Sequence, residues 1–387
     1  MSLLVSVTGR DHPGVTAGLF DVLTAHEEDV SDVEQVVVNG RLLLGFVVPG
    51  DRPALRRALQ DAAGTLGVEV EFTPLDRTEP VPAAVRHHVT VLGLPLPASA
   101  LAAVARRLAE CGANIERIHR LGDNPAVSYE LLVAGGETAR LQTELAAEAV
   151  AQQVDIAVER ASLYRRARRL VVMDVDSTLV QGEVIEMLAA EAGCEQEVAR
   201  VTSAAMAGEL DFEESLRARV ALLEGLPVDA VDRVRKAVVL TPGARTLVRT
   251  LKRLGYAVAI VSGGFTAVTD DLVAELGLDH ALANVLEIQD GRLTGRVVGD
   301  VVDRAAKASA LRRFAAQECL TLAQTVAIGD GANDLDMLAA AGLGIAFNAK
   351  PVVRDAADTA LSVPFLDAVL FLLGITREEV EAADAQE

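Results

Sequence analysis

Residues 170–180 read Leu-Val-Val-Met-Asp-Val-Asp-Ser-Thr-Leu-Val, an apolar run that opens into two carboxylates and two hydroxyls. Its first four side chains carry no polar face, as in a parallel strand covered on both sides. Asp174 and Asp176 stand two apart, a spacing that turns both side chains the same way in extended chain. Both carboxylates therefore emerge at the carboxyl end of the strand, where open parallel sheets bind ligands. Alone, the pair reads equally well as a cap on the following helix.

Similar apolar runs follow at 256–263, 325–330 and 344–347, divided by helix-like stretches. This alternation predicts an α/β fold with a doubly wound parallel sheet. The long insertion at about 183–239 has helical periodicity and almost no β-branched runs, so a helical cap is expected there. Asp290-Gly291, between VLEIQ and RLTGRVV, signals a small accessory hairpin. The other strand ends also carry chemistry. Val261-Ser262-Gly263-Gly264 supplies a hydroxyl and glycine amides that can hold a phosphate oxygen at a helix start. Lys307 stands in VVDRAAKASALRRF, and Ile328-Gly329-Asp330-Gly331-Ala332-Asn333-Asp334 adds two carboxylates. Four elements far apart in sequence thus end in the parts that phosphoryl transfer needs.

The first 160 residues read as two copies of one βαββαβ pattern. Gly9 and Pro13 fall 84 residues before Gly93 and Pro97, the self-similarity expected of a tandem ferredoxin-like repeat. Asn39-Gly40 suits a two-residue hairpin in the first copy. The expected boundaries are 1–78 and 85–160 for the copies and 168–380 for the catalytic domain. The basic segment RASLYRRARRL between them reads as a solvated connector before the buried strand.

The chain has a formal charge of −20, which argues against nucleic acid or an anionic membrane as partner. Its three cysteines have no metal-type spacing, which points to a reducing cytoplasm. The amino-terminal residues lack the basic and apolar regions of a signal peptide. The apolar stretch 361–375 is too short to span a bilayer and carries Pro364 and Asp367, so it reads as core.

DVDSTLV, VSGGF, Lys307 and GDGAND match, in order, the four motifs of the haloacid-dehalogenase-like phosphatases. The match covers about 200 residues, from Leu170 to Leu372. The insertion EVIEML…ELDFEESLRARV resembles the cap of the phosphoserine phosphatases within that superfamily. The two repeats, with the turn Asp11-His12-Pro13-Gly14, resemble ACT domains, and their order before the catalytic half resembles the long actinobacterial form. This resemblance implies a Mg²⁺-dependent hydrolase that converts O-phospho-L-serine to L-serine and phosphate, the last step of serine biosynthesis, with another small phosphomonoester such as phosphohomoserine as the alternative. Asp174 would be the nucleophile, which is ionised at neutral pH and attacks without a general base, and Asp176 the acid/base. Ser262, Gly263 and Lys307 would stabilise the phosphoryl oxygens. Mg²⁺ would be held by Asp174, the main-chain carbonyl of Asp176, and Asp330. Asp334 would lie nearby, acting through water or by orienting Lys307. Glu183 would take the substrate ammonium and Arg219 its carboxylate. Met206 and Phe212 would form an apolar wall, and Asn333 would touch the phosphate. Asp11, His12 and Gly14 would form a regulatory turn that binds serine, and the ACT pair would supply a homodimer interface. The second copy has no acidic or imidazole group at this turn, so a second effector site of the same kind is in doubt.

Overall fold

The protein is described by a computed structural model that covers residues 2–75, 85–162, 165, 167–206 and 210–385. The chain divides into two compact units, Met1–Ala84 and Val85–Glu387.

The first unit runs β1 (Ser2–Arg10), α1 (Val15–Ala25), β2 (Asp32–Val38), β3 (Arg41–Pro49), α2 (Pro53–Leu66) and β4 (Val68–Leu75). Its antiparallel sheet has the order β2-β3-β1-β4. Alternate residues of β1, namely Leu3, Val5 and Val7, are buried against the helices, the period expected of a sheet with one covered face. Asn39 and Gly40, at φ 48° and 74°, make the left-handed pair that a two-residue hairpin requires.

The second unit opens with the same pattern: β5 (Arg86–Gly93), α3 (Ala98–Glu110), β6 (Ala113–Gly122), β7 (Val127–Gly135), α4 (Thr138–Gln152) and β8 (Asp155–Arg160). The order β6-β7-β5-β8 repeats that of the first unit strand for strand.

The rest of this unit is built on β9 (Leu170–Met173), β10 (Ala257–Phe265), β11 (His280–Gln289), β12 (Arg292–Val298), β13 (Thr325–Gly329), β14 (Leu343–Phe347) and β15 (Thr359–Leu361). They form one sheet in the order β12-β11-β10-β9-β13-β14-β15. The apolar run that opens β9 is explained by two cores: Val171 and Met173 join one cluster, while Leu170 and Val172 join another. Alternate residues face opposite sides, and both sides are covered. The chain leaves β9 toward β10 and later returns to its other side at β13. That reversal makes the carboxyl end of β9 the switch point where such sheets bind ligands.

The expected Asp290-Gly291 hairpin forms, and one other expectation is corrected. The 285–298 hairpin is the edge of the main sheet, because β11 first pairs in parallel with β10 and then antiparallel with β12. It also supports the cap: Gly225 N–H donates to the Leu293 carbonyl at 2.8 Å. The arginine-rich connector is not simply solvated. Arg168 is 3% exposed and pairs with Glu159, while Arg165 pairs with Glu130 and Glu159. Carboxylates on β7 and β8 supply the partners, so the segment docks the second repeat onto the catalytic sheet. The same interface contains a 2.7 Å bond from the Ser362 amide to the Asp155 carboxylate.

Candidate active site

Asp174 follows β9, and its amide donates to the Ile328 carbonyl of β13 at 2.9 Å. Past Asp176 the chain cannot stay extended, and Ser177 turns it at φ 58°. Ser262 lies near the end of β10, Asp330 follows β13, and Lys307 sits in the first turns of the helix Arg304–Gln317. The sheet therefore brings together at one edge the residues that the motifs single out.

Lys307 is fully buried. Its Nζ reaches Asp174 Oδ1 at 2.6 Å and Asp334 Oδ1 at 2.7 Å, and these carboxylates hold its pKa above the ordinary lysine value against the effect of burial. Asp334 also accepts from Gly331 N at 3.0 Å, so it braces both the lysine and its own loop. That loop leaves no room for a side chain at Gly329, where a Cβ would lie 2.5 Å from Asp334 Cγ. Asp176 points elsewhere: it accepts from Val184 N at 2.8 Å and from Ser262 Oγ at 3.3 Å.

The site carries more negative charge than it neutralises. Burial, then the Asp334 charge, pushes Asp174 up, with Lys307 opposing. Burial and then Glu183 push Asp176 up to about 6. Burial and then Asp334 push Asp330 up to about 7. Oxygens of Asp174, Asp330 and Asp334 lie within 4.8 Å of one another. Such an all-oxygen set with an excess of negative charge fits a hard divalent cation. Asp176, with its carboxylate engaged, would present its main-chain carbonyl.

Over this edge lies a cavity of about 610 Å³. Asp174, Asp176 and Asp330 line its floor, and Glu183, Phe212, Arg219 and Asn333 line its sides. Glu183 precedes the first cap helix, Val184–Ala192, and accepts from Ser177 Oγ at 3.0 Å. Phe212 and Arg219 belong to the cap helix Phe212–Ala221, which Asp211 and Glu214 start with a reciprocal capping box. Half-buried Arg219 donates from Nε to the Ser215 carbonyl at 3.3 Å. The expected Met206 side chain lies outside the described residues.

Residues 171–339 match the haloacid dehalogenase-like hydrolases, and residues 1–73 and 85–159 each match ACT domains. The chain is 62% identical to a phosphoserine phosphatase of Streptomyces coelicolor over 99% of its own length and 94% of the relative's. The chain belongs to the phosphoserine phosphatase family. A Mycobacterium tuberculosis phosphoserine phosphatase is 52% identical, with 100% of this chain and 96% of that one covered. A solved structure titled as a phospho-aspartyl intermediate analogue of phosphoserine phosphatase is 45% identical and aligns with a TM-score of 0.51. It covers 53% of this chain and 98% of its own.

Several residues of the site were not singled out by the sequence. Thr178, fully buried, donates from Oγ1 to Asp330 Oδ1 at 3.4 Å, and its carbonyl accepts from Thr241 Oγ1 at 2.7 Å. Lys350, Val352 and Val353 also line the cavity. Only Thr178 had a signal, its place inside the Asp174 motif. In the first repeat, the two ring nitrogens of His12 meet the carbonyls of Leu66 at 3.0 Å and Pro13 at 3.2 Å. His12 therefore braces its turn, while Asp11 N–H donates to Gly40 O at 2.9 Å. Gly14 starts α1 at φ 98°, a backbone conformation that favours glycine.

Proposed function

We infer that the chain hydrolyses O-phospho-L-serine to L-serine and phosphate through an aspartyl phosphate on Asp174. The observation that carries this reading is the buried Asp174–Lys307 pair at the sheet edge, beneath a cavity that also holds Glu183 and Arg219. Asp174 Oδ attacks phosphorus. Asp176, poised near neutrality at about 6, protonates the leaving seryl oxygen and then takes a proton from the water that hydrolyses the acyl phosphate. Ser262 Oγ and Lys307 stabilise the equatorial oxygens. Asp174, Asp330 and the Asp176 carbonyl would hold Mg²⁺, which supplies charge neutralisation at the phosphoryl group. Asp334 orients Lys307, and Asn333 faces the phosphate. Glu183 takes the substrate ammonium and Arg219 its carboxylate, with Met206 and Phe212 as the apolar wall.

Residues 1–78 and 85–160 then act as a regulatory ACT pair for the catalytic domain 168–380, with free serine as ligand near Asp11, His12 and Gly14. A homodimer is supported by β2, the edge strand of its sheet, where Val33, Val36, Val37 and Val38 are 48, 52, 45 and 52% exposed. Such an apolar edge is a template for pairing with a second copy. Among the described residues no helix is long and apolar enough to cross a membrane, and the cytoplasm is the compartment we assign. Turnover of a panel of phosphomonoesters, including phosphohomoserine and p-nitrophenyl phosphate, with and without Mg²⁺, tests this reading. If phosphoserine is cleaved no better than p-nitrophenyl phosphate, the substrate assignment fails.

A further inference from the structure

The ladder between β10 and β11 breaks at the site. The two strands pair in register through Val261 and Leu282, and pairing resumes only at Phe265 and Asn284. Ser262, Gly263 and Gly264 therefore lie opposite Ala283 alone, a bulge that takes them out of the regular ladder and leaves Gly263 and Gly264 in the cavity lining. A bulge leaves ladder groups without strand partners, and buried polar groups need partners.

Asn284, 1% exposed, fills this break with its side chain. Its Nδ2 donates to the Gly263 carbonyl at 2.8 Å, and its Oδ1 accepts from Val302 N at 2.9 Å. This is the amide orientation that pairs donor with acceptor at both ends. The peptide between Gly263 and Gly264 is thereby pinned twice, because the Gly264 N–H donates to Ser262 Oγ at 2.7 Å. With Oγ accepting that bond, its proton is left to donate outward, and Asp176 Oδ2 is 3.3 Å away. The second arm reaches the origin of the Lys307 helix. Val302 precedes Asp303, whose side chain accepts from Ala306 N at 2.7 Å and whose carbonyl accepts from Lys307 N at 3.0 Å.

We propose that Asn284 is a positioning residue that fixes the 262–264 loop and the start of the Lys307 helix in one geometry, setting the direction of the Ser262 hydroxyl. It acts through these groups and does not line the cavity. The proposal rests on the phosphatase reading above, and the bland alternative is a carboxamide that only satisfies the core.

The test compares the full chain with Asn284→Asp, which keeps the acceptor toward Val302 but turns an acceptor on the Gly263 carbonyl. Asn284→Ser, which keeps a hydroxyl donor, is the second variant. Each is measured for kcat and KM on phosphoserine and p-nitrophenyl phosphate, for inhibition by inorganic phosphate, and for thermal midpoint. Misplaced phosphate-facing groups should lower kcat/KM of Asn284→Asp on both esters by about 10²-fold and weaken phosphate inhibition by about tenfold. Asn284→Ser should retain more of each. The proposal is overturned if the variants melt earlier yet keep kcat/KM and phosphate inhibition within about twofold of the parent. If Asn284→Asp does not fold, Asn284→Ser decides by the same readouts; collapse of both would assign Asn284 to the core and overturn the proposal as well. A parent that cleaves p-nitrophenyl phosphate but not phosphoserine refutes the substrate reading alone, because the variant ratios on p-nitrophenyl phosphate still judge Asn284.

Discussion

At the scale of single residues, the site balances one buried ammonium against several carboxylates. Lys307 is bonded to both Asp174 and Asp334, so Lys307→Met strands two buried charges. We expect a loss of about 3–5 kcal/mol in denaturant unfolding with a chelator present. A loss below about 1 kcal/mol would mean that the carboxylates simply take up protons. Asp174→Asn should lower turnover by about 10⁴-fold or more, and appreciable residual phosphoserine cleavage would remove Asp174 as nucleophile. Asp174, Ser262 and Asp330 stood out in the sequence because each closes an apolar strand, and Lys307 because it stands as a lone lysine between two of these strands. Asn284 did not: a carboxamide after ALA carries meaning only once its distant partners are known.

At the scale of elements, the connector shows most clearly how tertiary partners overturn a local reading. A run of arginines reads as a solvated face, yet Arg168 lies 3% exposed against Glu159. Arg168→Met should destabilise the second unit by about 3 kcal/mol, seen as a lower melting midpoint, while leaving KM for phosphoserine unchanged. A coupled fall in activity would show that the docking also shapes the site. Glu130 gives this interface a pH signature. Burial raises its pKa, but the His88 hydrogen bond and then the Arg165 charge outweigh it and hold the group below its ordinary 4.5. A depressed folded-state pKa contributes stability above the unfolded value and loses it as pH falls. The melting advantage of the parent over Glu130→Gln should therefore be full at neutral pH and shrink below about 4.5. An advantage that grew in acid would reverse the assignment. The 285–298 hairpin belongs at this scale too: its Asp290-Gly291 turn was readable, but its joining of the main sheet and its grip on the cap depend on which strands meet.

At the scale of the whole molecule, a catalytic half that resembles a free-standing phosphatase is preceded by two copies of another fold. The solved intermediate-analogue structure is 98% covered by 53% of this chain, so that half has a counterpart that exists alone. Serine binding and inhibition should therefore appear in the full chain and vanish in a chain that begins near Leu170, as read by calorimetry and turnover. Equal inhibition of both forms would place serine in the active site as product. Because period-2 and period-3.6 patterns report burial directly, the sequence by itself determined the tandem βαββαβ repeat and the parallel sheet with its helical insertion, and it displayed the four motifs, three of them at strand ends. Tertiary structure alone decided what those motifs do to one another. The pairing of Lys307 with two carboxylates, the pKa shifts of Asp176 and Asp330, the Asn284 tether and the buried arginines all arise from groups brought together across long sequence distances, where burial removes the water that would otherwise keep their charges and hydrogen bonds independent.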